Sequence, residues 1–197
     1  VPTNFKMKKV IFIHGYNSLP TSPKKRKWQI IAKTLTDLGV DYSIPALPGG
    51  ENPHSQEWLE IVDREVKNSD KPVVLVGHSL GTRTALLYLD KYNQKVDAVI
   101  LIAAFNNDYR ENRKRKNENY SDFFDYALDI EKIKKLANKF LVLHSKDDDS
   151  IPYEQGVQIA SELDAELITY EDKGHFSGEE RAEENARIYV EIVKSVL

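Results

Sequence analysis

The chain is 197 residues long, 41% hydrophobic and 30% charged, which fits one water-soluble domain with its own apolar core and argues against extensive disorder. Its 28 Lys plus Arg against 31 Asp plus Glu give a net charge of -3, so no overall field draws it to nucleic acid or an anionic membrane. The lack of cysteine excludes disulfides, a thiol nucleophile and Cys-ligated metals, and agrees with a cytoplasmic location.

Residues 1–8 read as an N-terminal extension with no signal-peptide h-region, in which Met7 marks the natural start and Val1 to Lys6 a partly added segment. No apolar run reaches the roughly 18 residues that a membrane span needs. Lys9 to His14 (KVIFIH) is the first predicted strand. The basic run Lys24-Lys25-Arg26-Lys27 follows, and with its counterpart Arg113-Lys114-Arg115-Lys116 it reads as solvated surface rather than a polyanion-binding patch. Trp28, Ile31, Leu35 and Leu38 recur at helical spacing until Gly39 closes the helix. A strand at Val40 to Pro45, a loop rich in proline and glycine at 47–53 and a helix marked by Trp58, Ile61, Val62 and Val66 come next.

Val73 to Val76 is predicted as a central strand, Leu80 to about Tyr92 as a helix and Ala98 to Ala103 as a fourth strand. A polar stretch from Phe105 to about Lys135 interrupts the pattern, too long for an idle connection. Phe140 to His144, Tyr153 to Leu163 and Ala165 to Tyr170 then resume the strand, helix, strand order, and a helix carrying Tyr189, Ile192, Val193 and Val196 ends the chain. The expected fold is a three-layer α/β arrangement of about six parallel strands flanked by helices, in a single domain over residues 1–197.

Gly77-His78-Ser79-Leu80-Gly81 fits G-x-S-x-G and stands between a predicted strand and a predicted helix, the context in which a serine is presented on a tight turn as a nucleophile. A serine hydroxyl needs a base, and the base needs an acid to fix its tautomer. Of five histidines, His175 in Lys173-Gly174-His175-Phe176 follows the last strand and can reach back to Ser79. Asp147, Asp148 and Asp149 compete for the acid's place after the fifth strand. Their spacing lacks the glycine and distal Glu of a calcium loop, so no metal site is expected. The segment His144 to Pro152 resembles the hydrolase segment in which the catalytic acid precedes a proline by four residues, a resemblance that selects Asp148, with Asp147 next. The two oxyanion donors expected are the backbone N–H groups of Leu80, after the nucleophile, and of Tyr16, since His14-Gly15-Tyr16 resembles the His-Gly-x segment of hydrolases whose third residue gives the second donor.

Taken in order, FIHGY, PALPGGENP, VGHSLG, SDFFDY, the DDDSIP run and KGHF resemble the family of small α/β-hydrolase serine hydrolases of the YdeN and retinoblastoma-binding protein 9 type. The resemblance runs from about Val10 to Phe176. It implies a minimal hydrolase core lacking the first two strands of larger relatives, little or no lid, and a triad carried by Ser79, Asp148 and His175. The stretch 106–119 is longer and more charged than that resemblance leads one to expect.

The function expected is hydrolysis of small carboxylic esters through an acyl-enzyme, without a cofactor. Short acyl groups would occupy a shallow pocket walled by Tyr16, Phe105 and Phe176. Phe123, Phe124, Tyr126 and Leu128 could face a ligand or pack onto the core. The partner expected is a small-molecule ester, with no nucleic acid, no membrane and no protein partner indicated by the sequence. Two alternatives stand beside this reading: a protein-binding module on a hydrolase fold, and a thioesterase, amidase or peptidase with the same triad.

Overall fold

The computed structural model describes residues 8–23, 25–107 and 117–197. Six strands, β1 (Lys9–Ile13), β2 (Asp41–Ser43), β3 (Val73–His78), β4 (Val96–Ile102), β5 (Ala137–Ser145) and β6 (Glu166–Tyr170), form one sheet in the order β2-β1-β3-β4-β5-β6. All five pairings are parallel. Helices α1 (Arg26–Asp37), α2 (Ser55–Lys67), α3 (Leu80–Tyr92), α4 (Ile130–Ile133), α5 (Tyr153–Glu162) and α6 (Ala182–Lys194) cover it. Each predicted strand and helix is present, with ends displaced by a few residues. The N-terminal extension up to residue 7, Lys24 and the second basic run lie outside the described residues.

The strands are apolar on both faces because helices cover both, and alternate residues divide between two cores. Ile11, Ile13 and Leu75 face α2 and α3, where Trp58, Leu59, Val62 and Leu86 pack. Val10, Phe12, Val74 and Val76 face α1 and α6, meeting Trp28, Ile31, Leu35 and Tyr189. The chain runs outward from β1 to β2 and then returns to place β3 on the other side of β1, so the order reverses at β1 and β3. The carboxyl ends of those two strands are where an open α/β sheet offers a crevice.

Within the stretch after β4, Tyr120 and Phe123 are wholly buried and Phe124 and Leu128 pack against the same core, whereas Tyr126 is 37% exposed. Packing onto the core is therefore the arrangement adopted by most of these side chains. Arg83 of α3, itself buried, donates from Nε to the Phe123 carbonyl at 2.8 Å and from Nη1 to Asn106 Oδ1 at 2.6 Å, while Asp122 Oδ2 accepts from the Ser55 amide at 2.6 Å. These bonds pin the turn at Ser121–Phe123 across the start of α2 and the body of α3. Among the described residues no helix is long and apolar enough to cross a membrane.

Candidate active site

Ser79 stands between β3 and α3 with φ 54° and ψ -120°, a conformation that L-residues rarely adopt and that a surrounding structure must impose. Its amide donates to the Ile102 carbonyl at the end of β4, at 2.9 Å. The flanking glycines are a steric requirement. A Cβ on Gly77 would lie 2.6 Å from the Gly81 carbonyl oxygen, and one on Gly81 would lie 2.0 Å from the Ile13 carbonyl oxygen. Strand, turn and helix touch at their backbones, which aims the hydroxyl outward from the sheet edge.

Two further residues meet that hydroxyl in sequence. His175 Nε2 is 2.9 Å from Ser79 Oγ, and His175 Nδ1 is 2.8 Å from Asp148 Oδ2. The ionised carboxylate can only accept, so Nδ1 carries the proton and Nε2 is left as acceptor for the serine hydroxyl. The other carboxylate oxygen accepts from the Ser150 and Ile151 amides, each at 2.9 Å. Burial works to raise the Asp148 pKa, but the hydrogen bond and charge of His175 and these two amides outweigh it and hold the group below its ordinary range.

The remaining histidines have other employment. Burial pushes the His14 pKa down to about 4; its Nδ1 donates to the Gly15 carbonyl at 2.8 Å and its Nε2 accepts from the Leu47 amide at 3.0 Å. His14 thereby ties the loop after β1 to the loop after β2. His144 is also buried and, chiefly for that reason, has a lowered pKa; its Nε2 donates to the Ile151 carbonyl at 3.1 Å. His78 faces His175, with ring centroids 5.1 Å apart, and donates from Nε2 to the His175 carbonyl at 2.8 Å. His54 is exposed at the start of α2.

Of the competing aspartates, Asp148 is the one that meets His175. Asp147 Oδ1 instead accepts from Ser145 Oγ at 2.6 Å and from the Gly174 amide at 2.8 Å, which braces the turn carrying the histidine. The Ser145 hydroxyl in turn accepts from the Lys173 amide at 2.9 Å. Asp149 is exposed.

A cleft of about 220 Å³ opens over Ser79 and His175, lined also by Gly15, Tyr16, Ser18, Lys25, His78, Glu118, Ser150 and Ser177. Gly15 lets the loop after β1 approach, since a Cβ there would lie 3.1 Å from Ser79 Cβ. Tyr16 lies on the cleft as expected, its hydroxyl donating to the Glu51 carbonyl at 2.9 Å. The expectation that Phe105 and Phe176 wall the pocket is not met by their placement. Both are wholly buried, Phe105 against Tyr120 and Phe124, Phe176 against Tyr170, and neither lines the cleft. Apolar rings beside a charged loop gain more from the core than from a wet cleft. The polar liners Ser18, Glu118, Ser150 and Ser177 were not legible in the sequence, which contains no pattern linking such distant positions. A larger cavity of about 390 Å³ lies at the opposite edge of the sheet, among Lys71, Val73, Val96, Asp97 and Lys135, away from these side chains.

The serine hydrolase family model matches residues 10–190. The serine hydrolase RBBP9 of Rattus norvegicus is 31% identical over 140 residues, covering 71% of this chain and 69% of the relative. The ydeN product of Bacillus subtilis strain 168 is 26% identical over 175 residues, 88% of each chain. Its crystal structure aligns with a TM-score of 0.80 at 25% identity, covering 96% of this chain and 98% of that one. A carboxylesterase structure from Nitrososphaera gargenis shares the fold at a TM-score of 0.74 and 14% identity, covering 98% and 92% of the two chains. The sheet order is that of a truncated α/β-hydrolase, and the chain belongs to the serine hydrolase family.

Proposed function

We propose that this serine hydrolase cleaves small carboxylic esters, with Ser79 as nucleophile, His175 as general base and then acid, and Asp148 as the group that orients the histidine. The observation that carries the proposal is the unbroken chain of hydrogen bonds from Ser79 Oγ through His175 to Asp148, at 2.9 Å and 2.8 Å. In acylation the serine oxygen attacks the ester carbonyl while Nε2 takes its proton. The backbone N–H groups of Leu80 and Tyr16 stabilise the developing oxyanion. Nε2 then protonates the departing alkoxide, and water repeats the sequence in reverse to release the acid. The imidazolium formed at each attack is stabilised by the Asp148 carboxylate, which stays ionised because its pKa is held low.

A cleft of about 220 Å³ whose liners include Ser18, Lys25, Glu118, Ser150 and Ser177 favours short and polar acyl groups over long alkyl chains. The test is a series of p-nitrophenyl esters from acetyl to palmitoyl, run beside Ser79→Ala, together with labelling by a fluorophosphonate probe. The native protein should label and should show kcat/KM highest at about two to six acyl carbons. Ser79→Ala should abolish both labelling and turnover while unfolding as the native protein does. Persistent labelling of that variant would remove Ser79 as the nucleophile, whereas a native protein that neither labels nor turns over any ester would favour protein binding as the role. A kcat/KM rising steadily to palmitoyl would remove the preference for short chains.

A further inference from the structure

Lys27 is a buried cation with no counter-charge in contact among the described residues. The residue is 7% exposed, and among the described residues no carboxylate lies within ion-pairing distance of its Nζ. The ammonium donates to the Phe176 carbonyl at 2.9 Å and to the Tyr189 hydroxyl at 3.1 Å, and it sits 4.4 Å and 4.8 Å from the ring centroids of Tyr189 and Trp28. Contrary to its sequence-based reading as part of a solvated basic run, Lys27 is turned inward against α6 by the start of α1. A buried charge paired only with neutral groups lowers stability, and an apolar side chain of the same length would be the more stable occupant.

What that ammonium touches is the turn that carries His175. Three consecutive carbonyls of the turn accept from three buried side chains on three different elements. His78 at the end of β3 donates to the His175 carbonyl at 2.8 Å, Lys27 of α1 to that of Phe176, and Asn185 Nδ2 of α6 to that of Ser177 at 3.2 Å. The turn needs such restraint, because Gly174 and Phe176 both have positive φ, at 54° and 50°, and Phe176 is not a glycine. His175 must meet Ser79 and Asp148 at once, a geometry that tolerates little drift.

We propose that Lys27 is a positioning residue for the general base, fixing the His175 turn through the Phe176 carbonyl at the expense of stability. The inference rests on the reading of His175 as the base. The groups facing the ammonium are Lys25 from the start of its own helix, Glu179 from the segment after the base, Tyr189 from α6, and His78 of β3 behind the Tyr189 ring at 6.2 Å. Burial first, then the charge of Lys25, pushes the Lys27 pKa down to about 7, with Glu179 opposing. The protonated form, whose bond to the turn is charge-assisted, is thus costly to hold in the fold.

The test is Lys27→Met, with Lys27→Gln beside it. Lys27→Met should melt no lower than the native protein, yet its rate of fluorophosphonate labelling and its kcat for p-nitrophenyl acetate should fall by about ten-fold or more, with KM changed less than about three-fold. Lys27→Gln, which keeps an N–H donor, should recover part of the labelling rate. Labelling of Lys27→Met within about two-fold of native, or Tm and rate falling together in both variants, would overturn the proposal and leave Lys27 a packing residue. The native protein and Ser79→Ala are the controls. If Ser79→Ala still labels, it is the assignment of the nucleophile that fails, whatever Lys27 does.

Discussion

At Ser79 the backbone alone sets the geometry. β3 runs into α3 through a residue with φ 54°, and Gly77 and Gly81 permit contacts that no other residue would allow. At His175 the main chain is a turn with little secondary structure, and its position comes from Lys27, His78, Ser145, Asp147 and Asn185, on elements far apart in sequence. One half of the site is therefore a local steric device and the other a convergence of long-range polar contacts. The first should fail abruptly and in folding, the second by degrees and in rate.

The largest effect expected on rate is that of Asp148→Asn, which removes the acceptor that fixes the His175 tautomer and should lower kcat by about 10⁴-fold. Asp147→Asn keeps an Oδ1 acceptor for Ser145 and Gly174, so its kcat should fall only a few-fold, roughly the loss of one charge-assisted bond at the surface. Steady-state kinetics on the two variants would break the comparison if Asp147→Asn were the more damaging. On the elbow side, Gly81→Ala should destabilise the fold by about 4 kcal/mol or prevent folding, since its Cβ would enter the Ile13 carbonyl. Denaturant unfolding reads this directly, and a loss under about 1 kcal/mol would mean that the strand and helix can separate at no great cost.

The pH dependence of stability sharpens the contrast further. Asp148 has a depressed folded pKa, so its contribution is present above the unfolded value near 3.9 and is lost as pH falls through the folded value. The difference in Tm between native and Asp148→Asn should accordingly shrink as pH is lowered from 7 to 3. Lys27 works in the opposite direction. Its folded pKa of about 7 lies below the unfolded value near 10.4, so protonation of the unfolded chain erodes stability as pH falls from about 10 to 7. The native Tm should fall relative to Lys27→Met as pH is lowered from about 10 to 7, and parallel curves would show that the side chain is not proton-linked to folding.

The smallest effect is expected at the elbow itself. Ser79→Gly should be more stable than Ser79→Ala by about 1 kcal/mol, because glycine accepts φ 54° without strain. Equal stability of the two in thermal unfolding would mean that the backbone there stores no strain.

The sequence alone determined the strand and helix order, the parallel sheet and the elbow around Ser79, because each depends on hydrophobic period or on glycines next to the residue they serve. It also picked out His175 and Asp148 by their places after the last two strands, in a register that the geometry matches at 2.8 Å. Only the tertiary structure decided that Phe105 and Phe176 turn into the core and that polar residues line the cleft. It alone drew Lys27 inward from a run that reads as solvated. The burial of Lys27 rests on a meeting of side chains distant along the chain, with the Phe176 carbonyl at a separation of 149. No local spacing encodes such a meeting, because burial and partner choice are set by the packing of whole helices against the sheet rather than by the residue's neighbours in the chain.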